Sequence, residues 1–158
     1  MAEIKFLESE IIVSKTDTSG KITYGNDLFL KLAGYDEKEI LHKPHNIVRH
    51  PDMPRIIFKL LWEYIKNGKE IYAYVVNRSK NNDYYWVLAN VTPSYDSNGK
   101  VVGYYSVRRK PTDHALSIIK PLYQKLLSAE KSGGIEASQQ MINELLAGGR
   151  YDQFILSI

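Results

Sequence analysis

The 158-residue chain suits one domain with a modest extension, and its 44% hydrophobic and 25% charged residues exclude the disordered and fibrous classes. The net charge of +3 is spread along the chain, so we expect no nucleic-acid binding and interpret the basic run at residues 108–110 as solvated surface. The absence of cysteine excludes disulfides, thiolate zinc sites and iron–sulfur ligation, and we predict no metal site.

The first predicted element is a β-hairpin near the N-terminus. Strand-like residues at 11–13 and 21–24 flank a cluster of turn formers at residues 16–20. The pair Asn26-Asp27 then predicts the start of a helix, and Gly34 predicts its end.

A proline-rich segment follows at residues 42–54, and its three prolines prevent a regular long helix. Apolar residues at helical spacing between 56 and 64 then predict an amphipathic helix that ends at Asn67-Gly68. Three strands are predicted next, at residues 72–76, 84–93 and 101–107. This order predicts an α+β fold in which helices gather on one face of a five-stranded antiparallel sheet.

From about residue 111 the pattern becomes helical. We predict one amphipathic helix at 116–127 that is interrupted by Pro121, a hinge at 132–134, a second helix at 135–146, and a short apolar tail. These elements are too short to fold alone, so they pack either on the core domain or on another chain. We therefore divide the chain into a core domain at 1–112 and a helical C-terminal extension at 113–158.

Three segments resemble the PAS domain of aerotaxis receptors (the Aer/CetB-like family): TYGND at 23–27, KPHNIVRHPDMP at 43–54, and Asn77-Arg78 followed by DYYWV at 83–87. The resemblance covers about residues 10–112 and implies a PAS fold. In that family the domain binds FAD non-covalently and passes its redox state to a chemotaxis signalling module. The resemblance therefore implies an FAD-binding redox and energy-taxis sensor with a chemoreceptor-like partner. Where family members often carry Pro-Trp, this chain has Glu70-Ile71, which removes one aromatic wall of the pocket.

The resemblance also implies which residues form the flavin site: Asn26, Arg49, His50, Asp52, Phe58, Trp62 and Asn77. To these, strand alternation adds Asn90, as a second inward-facing amide beside Asn77. Phe58 and Trp62 lie four residues apart and share one helix face, whereas Arg49 is a fork-shaped donor suited to a phosphate or a ring carbonyl. Structural roles compete with these assignments: core packing for the two aromatic residues, a helix N-cap for Asn26, and an ion pair with Asp52 for Arg49.

Two other functions stay open at this point. His50 beside a PAS cavity is compatible with a haem-binding gas sensor. A ligand-free PAS interaction module is the second, in which residues 113–158 pair with another subunit, including a second copy of the chain. No catalytic motif is found, so we predict no catalytic residue and no enzyme activity. The charged N-terminal segment and the absence of an apolar run of ~18 residues predict a cytoplasmic protein without membrane insertion.

Overall fold

A single antiparallel sheet organises the molecule, and the computed structural model describes all 158 residues. Its strands are β1 Ile12–Thr16, β2 Ile22–Gly25, β3 Ile71–Arg78, β4 Tyr84–Tyr95 and β5 Val101–Arg109. The helices are α1 Asp27–Ala33, α2 Glu37–Ile40, a 3₁₀ helix at His45–Val48, α3 Arg55–Lys66, α4 Asp113–Leu146 and α5 Tyr151–Leu156. The strand order is β2-β1-β5-β4-β3, which confirms the predicted five-stranded antiparallel sheet of an α+β fold.

Local signals in the sequence set the first elements. Gly20 turns the β1–β2 hairpin with a φ of 87°, a value that glycine adopts without strain. The Asn26 side chain accepts a hydrogen bond from the Phe29 N–H and so caps α1, and Gly34 ends this helix in the left-handed conformation. The predicted hairpin and first helix are therefore confirmed.

Strand alternation gives the sheet two distinct faces. The inner face lies under α1, α3 and the 3₁₀ helix, and it carries Val75 and Asn77 of β3 together with their β4 partners Val87 and Tyr85. Residues that alternate with these, such as Trp86, lie on the outer face. The register therefore decides which side chains can form a site under α3.

The C-terminal extension covers part of the outer face and then passes round the β3 edge. Tyr123 of α4 packs against Trp86 with ring centroids 5.9 Å apart, and its hydroxyl donates to the Tyr74 carbonyl. Further along α4, the Glu130 carboxylate accepts hydrogen bonds from the first backbone N–H groups of α3, on the other side of the sheet. The extension thus packs on its own chain, against the outer face of the sheet and α3, whereas its Leu145 and Leu156 stay exposed.

Helix α4 differs from the prediction in one respect. Pro121 does not interrupt it, and the only non-helical residue within it is Gly134, with φ 69° and ψ −168°. The break therefore falls inside the predicted hinge at 132–134. Core and extension share one cluster of 30 buried apolar residues, to which the extension contributes Ala115, Ile119, Tyr123, Leu126, Ile142, Tyr151 and Ile155. None of the helices has both the length and the apolar character that crossing a membrane requires.

Candidate functional site

A cavity of about 270 Å³ lies between the inner sheet face and α3, and we call it the inner cavity. Two aromatic residues of α3, Phe58 and Trp62, form one wall, and the small side chain of Ala89 leaves space at the sheet. This volume lies just below the range of about 300–1,000 Å³ that is usual for small-molecule sites. The inner cavity therefore suits a compact flat group. The other apolar lining residues are Leu61, Ile65, Val48, Val75, Val91 and Tyr104.

A buried arginine forms the polar end of the inner cavity. Arg108 is 2% exposed, and its Nη2 donates to the Ser14 Oγ at 2.6 Å. Burial lowers the pKa of Arg108 to about 10, so the guanidinium remains a cation at neutral pH. No carboxylate lies within ion-pairing distance of it, and its charge faces the cavity without a counter-ion.

His45 extends this polar end from the 3₁₀ helix. Its Nε2 lies 2.9 Å from the Ser14 Oγ, which already accepts from Arg108 and so has its own proton free to donate to the imidazole. Burial lowers the pKa of His45 to about 3, and the positive charge of Arg108 acts in the same direction. The imidazole is therefore neutral, and Ser14 and Arg108 link strands β1 and β5 to the 3₁₀ helix.

Three buried polar atoms near this end have no hydrogen-bond partner: the Asn77 Nδ2, the Tyr85 hydroxyl and the Arg108 Nε. Burial raises the pKa of Tyr85 to about 12, so its hydroxyl keeps its proton at neutral pH. Buried polar groups in folded proteins nearly always have partners, because leaving one unpaired costs about 1–3 kcal/mol. Of these residues Asn77 and Arg108 line the inner cavity, where their donors would meet the acceptor atoms of a bound ligand.

Four of the predicted site residues come together at the inner cavity: Arg49, Phe58, Trp62 and Asn77. The Arg49 guanidinium lies 4.0 Å from the centre of the Phe58 ring, and the Trp62 ring stands edge-on to Tyr104 at 5.6 Å. Arg49 makes no ion pair with Asp52, whose carboxylate lies 3.8 Å from the His50 Nδ1. Arg49 is thus held by stacking, with its donor groups available.

Asn26, His50 and Asp52 lie outside the inner cavity. Both hydrogen bonds to the Asn26 Oδ1 come from backbone N–H groups, at Val13 and Phe29, so this side chain is a structural cap. The Asp52 side chain is 75% exposed, and the His50 Nδ1 accepts a hydrogen bond from the Asp52 backbone N–H. The sequence did not distinguish these local roles from ligand contacts.

The prediction that Asn90 faces inward is wrong. Its strand neighbours Ala89 and Val91 line the inner cavity, so Asn90 lies on the opposite face of the sheet. There its Nδ2 donates to the Glu70 Oε1 at 2.6 Å. Ile71, which stands where family members often carry tryptophan, is fully buried and pairs with Val91.

A second, wider concavity of about 690 Å³ adjoins the inner cavity, and we call it the outer groove. The two share Asn46 and Arg49 in their linings. The outer groove contains His50, and its charged residues are Arg49, Arg55, Arg78, Glu130 and Lys131. Two of these, Glu130 and Lys131, belong to α4. No group of side chains in the structure is arranged to hold a metal ion.

Sequence reasoning missed five residues at or beside the inner cavity, and the interpretation of Arg108 as solvated surface is wrong. The missed residues are Ser14, His45, Tyr85, Tyr104 and Arg108. Alternation along β5 was a signal that would have found two of them, because Tyr104 and Arg108 are four residues apart on one face.

Comparisons with known proteins agree with this architecture. A family model described as PAS fold matches residues 22–108. The aerotaxis receptor of Escherichia coli (strain K12) is 41% identical over 121 residues, which is 77% of this chain and 24% of the receptor. Phototropin-2 of Oryza sativa subsp. japonica is 27% identical over 66% of this chain and 11% of its own length.

Among solved structures, the light state of the blue-light photoreceptor Aureochrome1 LOV superposes with a TM-score of 0.61 at 25% identity. The match covers 70% of this chain and 88% of that structure. The chain thus spans a quarter or less of the length of these curated relatives, and the similarity concerns one segment of each. The chain belongs to the PAS family, and its PAS domain is of the kind found in the aerotaxis receptor.

Proposed function

We propose that this chain binds FAD and acts as a redox and energy-taxis sensor that relays the state of the flavin to a chemoreceptor-like partner. The observation that carries the proposal is the buried cation of Arg108, which faces an aromatic-walled cavity without a carboxylate partner. A buried unpaired charge is costly, so a bound group that supplies acceptor atoms there offsets the cost. The similarity to the aerotaxis receptor supports the same cofactor class.

The residues present fit a flavin ring. Phe58 and Trp62 offer aromatic contact to a flat ring system, and Asn77 and Arg108 offer unused donors to the acceptor atoms of its polar edge. Arg49 lines both the inner cavity and the outer groove, and its planar fork suits a phosphate. When bound, the flavin supplies reversible electron transfer.

The protein's part in sensing is to convert a change of charge at the ring edge into a change of packing. Arg108, Ser14 and His45 form one hydrogen-bonded chain that joins β5, β1 and the 3₁₀ helix. When the charge of the acceptor atom bonded to Arg108 changes, this series of hydrogen bonds shifts, together with β5, β1 and the 3₁₀ helix. The shift favours one of two packings of the domain over the other. The proposed role is therefore sensory, with a separate signalling protein as the receiver.

The visible spectrum of the purified chain is the direct test. We expect a yellow protein with the two visible bands of oxidised flavin, and close to one FAD per chain when the acid-released cofactor is identified by chromatography. A Soret band would instead indicate the haem-binding alternative. A colourless protein that also fails to take up added FAD would contradict the proposal and favour the ligand-free interaction module.

A further inference from the structure

We propose that the outer groove binds the ADP half of FAD, with α4 of the C-terminal extension as one wall of this subsite. The proposal rests on the proposed function, since it concerns the part of the cofactor that the inner cavity cannot hold. At about 270 Å³ the inner cavity is below the usual range even for a drug-sized ligand, whereas the outer groove measures about 690 Å³. An FAD molecule whose flavin ring fills the inner cavity therefore extends into the outer groove.

Arg49 connects the two spaces. It lines both of them, and stacking on Phe58 at 4.0 Å fixes its guanidinium at their junction. A backbone bridge between Arg49 and Asn77 ties this junction to β3, directly before Arg78 in the chain. The diphosphate of a cofactor that runs from the inner cavity into the outer groove therefore passes between Arg49 and Arg78.

The charge of the outer groove suits a diphosphate. Arg49, Arg78 and Lys131 have no carboxylate within 4.0 Å, and only Arg55 approaches Glu130, at 3.8 Å. Three cations of one concavity thus have no carboxylate within ion-pairing distance, and two of them are arginines with the planar fork that matches phosphate oxygens.

Glu130 offsets only part of this charge, because its oxygens already accept hydrogen bonds within the structure. The Oε1 accepts from the Arg55 N–H at 2.8 Å, and the Oε2 accepts from the Ile56 N–H at 3.0 Å and from the Ser138 hydroxyl at 2.8 Å. The carboxylate sits only 8% exposed beneath the groove. Its negative charge lies at the positive end of the α3 dipole, and of the groove cations only Arg55 lies within 4.0 Å of it.

Helix α4 contributes Leu127 and Lys131 to the groove lining, whereas Arg49 and Arg78 belong to the core domain. Leu127 is half-buried and offers apolar surface to a base, and the exposed Lys131 offers a point charge to a phosphate. An ADP group bound here touches the core domain and the extension together. Cofactor binding therefore holds α4 against the start of α3.

The test compares flavins that share a ring and differ in their tails. Flavin-free protein is titrated with riboflavin, FMN and FAD, and binding is followed by flavin fluorescence. We expect FAD to bind at least about tenfold more tightly than riboflavin, in line with one charge-assisted contact to the diphosphate. Equal affinities for FAD and riboflavin would overturn the subsite and leave flavin binding intact. Binding of none of the three would overturn the proposed function and this subsite with it.

Two variants locate the subsite. Arg78→Gln should weaken FAD binding about tenfold and Lys131→Gln about threefold, while both leave riboflavin binding unchanged. Lys125→Gln, an exposed lysine of α4 outside the groove, is the matched control and should leave both affinities unchanged. Hydrogen exchange adds a second measurement: FAD should slow exchange in residues 127–146 more than riboflavin does. Equal loss of riboflavin and FAD binding in the variants, or equal protection of α4 by both ligands, would overturn the proposal.

Discussion

Arg108 is the residue on which the candidate site depends most. Without a ligand it is buried, charged and unpaired, a combination that opposes folding. We expect Arg108→Met to lower flavin affinity about 10–100-fold, because a charge-assisted hydrogen bond of about 1.5–3 kcal/mol is lost. The flavin-free variant should nevertheless be at least as stable as the flavin-free parent, since an apolar side chain of similar length replaces an uncompensated charge.

Urea unfolding and flavin titration of both proteins measure these two effects. Arg109→Met is the control, because its exposed side chain should change neither quantity. Loss of stability in flavin-free Arg108→Met, with unchanged affinity, would show that Arg108 is a structural residue and not a ligand contact.

The buried His45 leads to a prediction about the pH dependence of stability. Its pKa in the folded state is about 3, below the ordinary value of 6.5, so the unfolded chain binds more protons between these two values. Stability should therefore fall as the pH drops from about 6.5 towards 3, by up to about 1.4 kcal/mol per pH unit from this residue. His45→Gln should flatten this part of the curve.

The measurement is the free energy of unfolding of parent and variant at a series of pH values. His114→Gln removes an exposed histidine and should leave the slope unchanged. Identical slopes for the parent and His45→Gln would mean that His45 is as free to protonate in the folded state as in the unfolded one.

The local sequence pattern predicted some residues of the candidate site but not the others. The spacing of Phe58 and Trp62 places both on one face of a helix, so their meeting at the cavity could be predicted. Arg108 was misinterpreted because the adjacent Arg109 and Lys110 are exposed and make the run look like solvated surface, although alternation along β5 puts it on the same face as Tyr104. The contact of His45 with Ser14 depends on a pairing across 31 positions, which no local signal encodes.

At the scale of elements, the extension is built from one long helix with a backbone break. The prediction that Pro121 interrupts the helix is wrong because Ala115, Ile119 and Tyr123 pack on the core on both sides of it, and packing outweighs local propensity. The break at Gly134 follows instead from a φ/ψ pair that only glycine adopts readily, and the sequence predicted its position correctly.

Gly134→Ala tests the break. An added Cβ would meet no atom within 4 Å, so the whole effect must come from the backbone. We expect a loss of about 1–3 kcal/mol in the free energy of unfolding, because alanine is strained at φ 69° and ψ −168°. Glu136→Ala, an exposed helical position two residues later, should change stability by less than about 0.5 kcal/mol. Equal stability of both variants in urea unfolding would mean that the break is not required for the packing of the second half of α4.

At the scale of the whole molecule, the extension and Met53 together cover part of an edge of the sheet. β3 is an edge strand, and two of its outward backbone groups are engaged: the Tyr74 carbonyl by the Tyr123 hydroxyl, and the Val76 N–H by the Met53 Sδ at 3.3 Å. Covering an edge strand in this way hinders its pairing with other chains. The division of the chain at residue 112 stays a prediction, and so does the docking of a partner or a second copy through residues 113–158.

The uncompensated charge at the polar end of the cavity also has a consequence for the life of the protein in a cell. A ligand that binds only the folded state stabilises it by RT ln(1 + [L]/Kd), which is about 2.7 kcal/mol at a ligand concentration of 100 Kd. Chains that lack flavin spend more time unfolded, and proteases remove unfolded chains. On the proposed function, the abundance of this chain in a cell should therefore follow the supply of flavin.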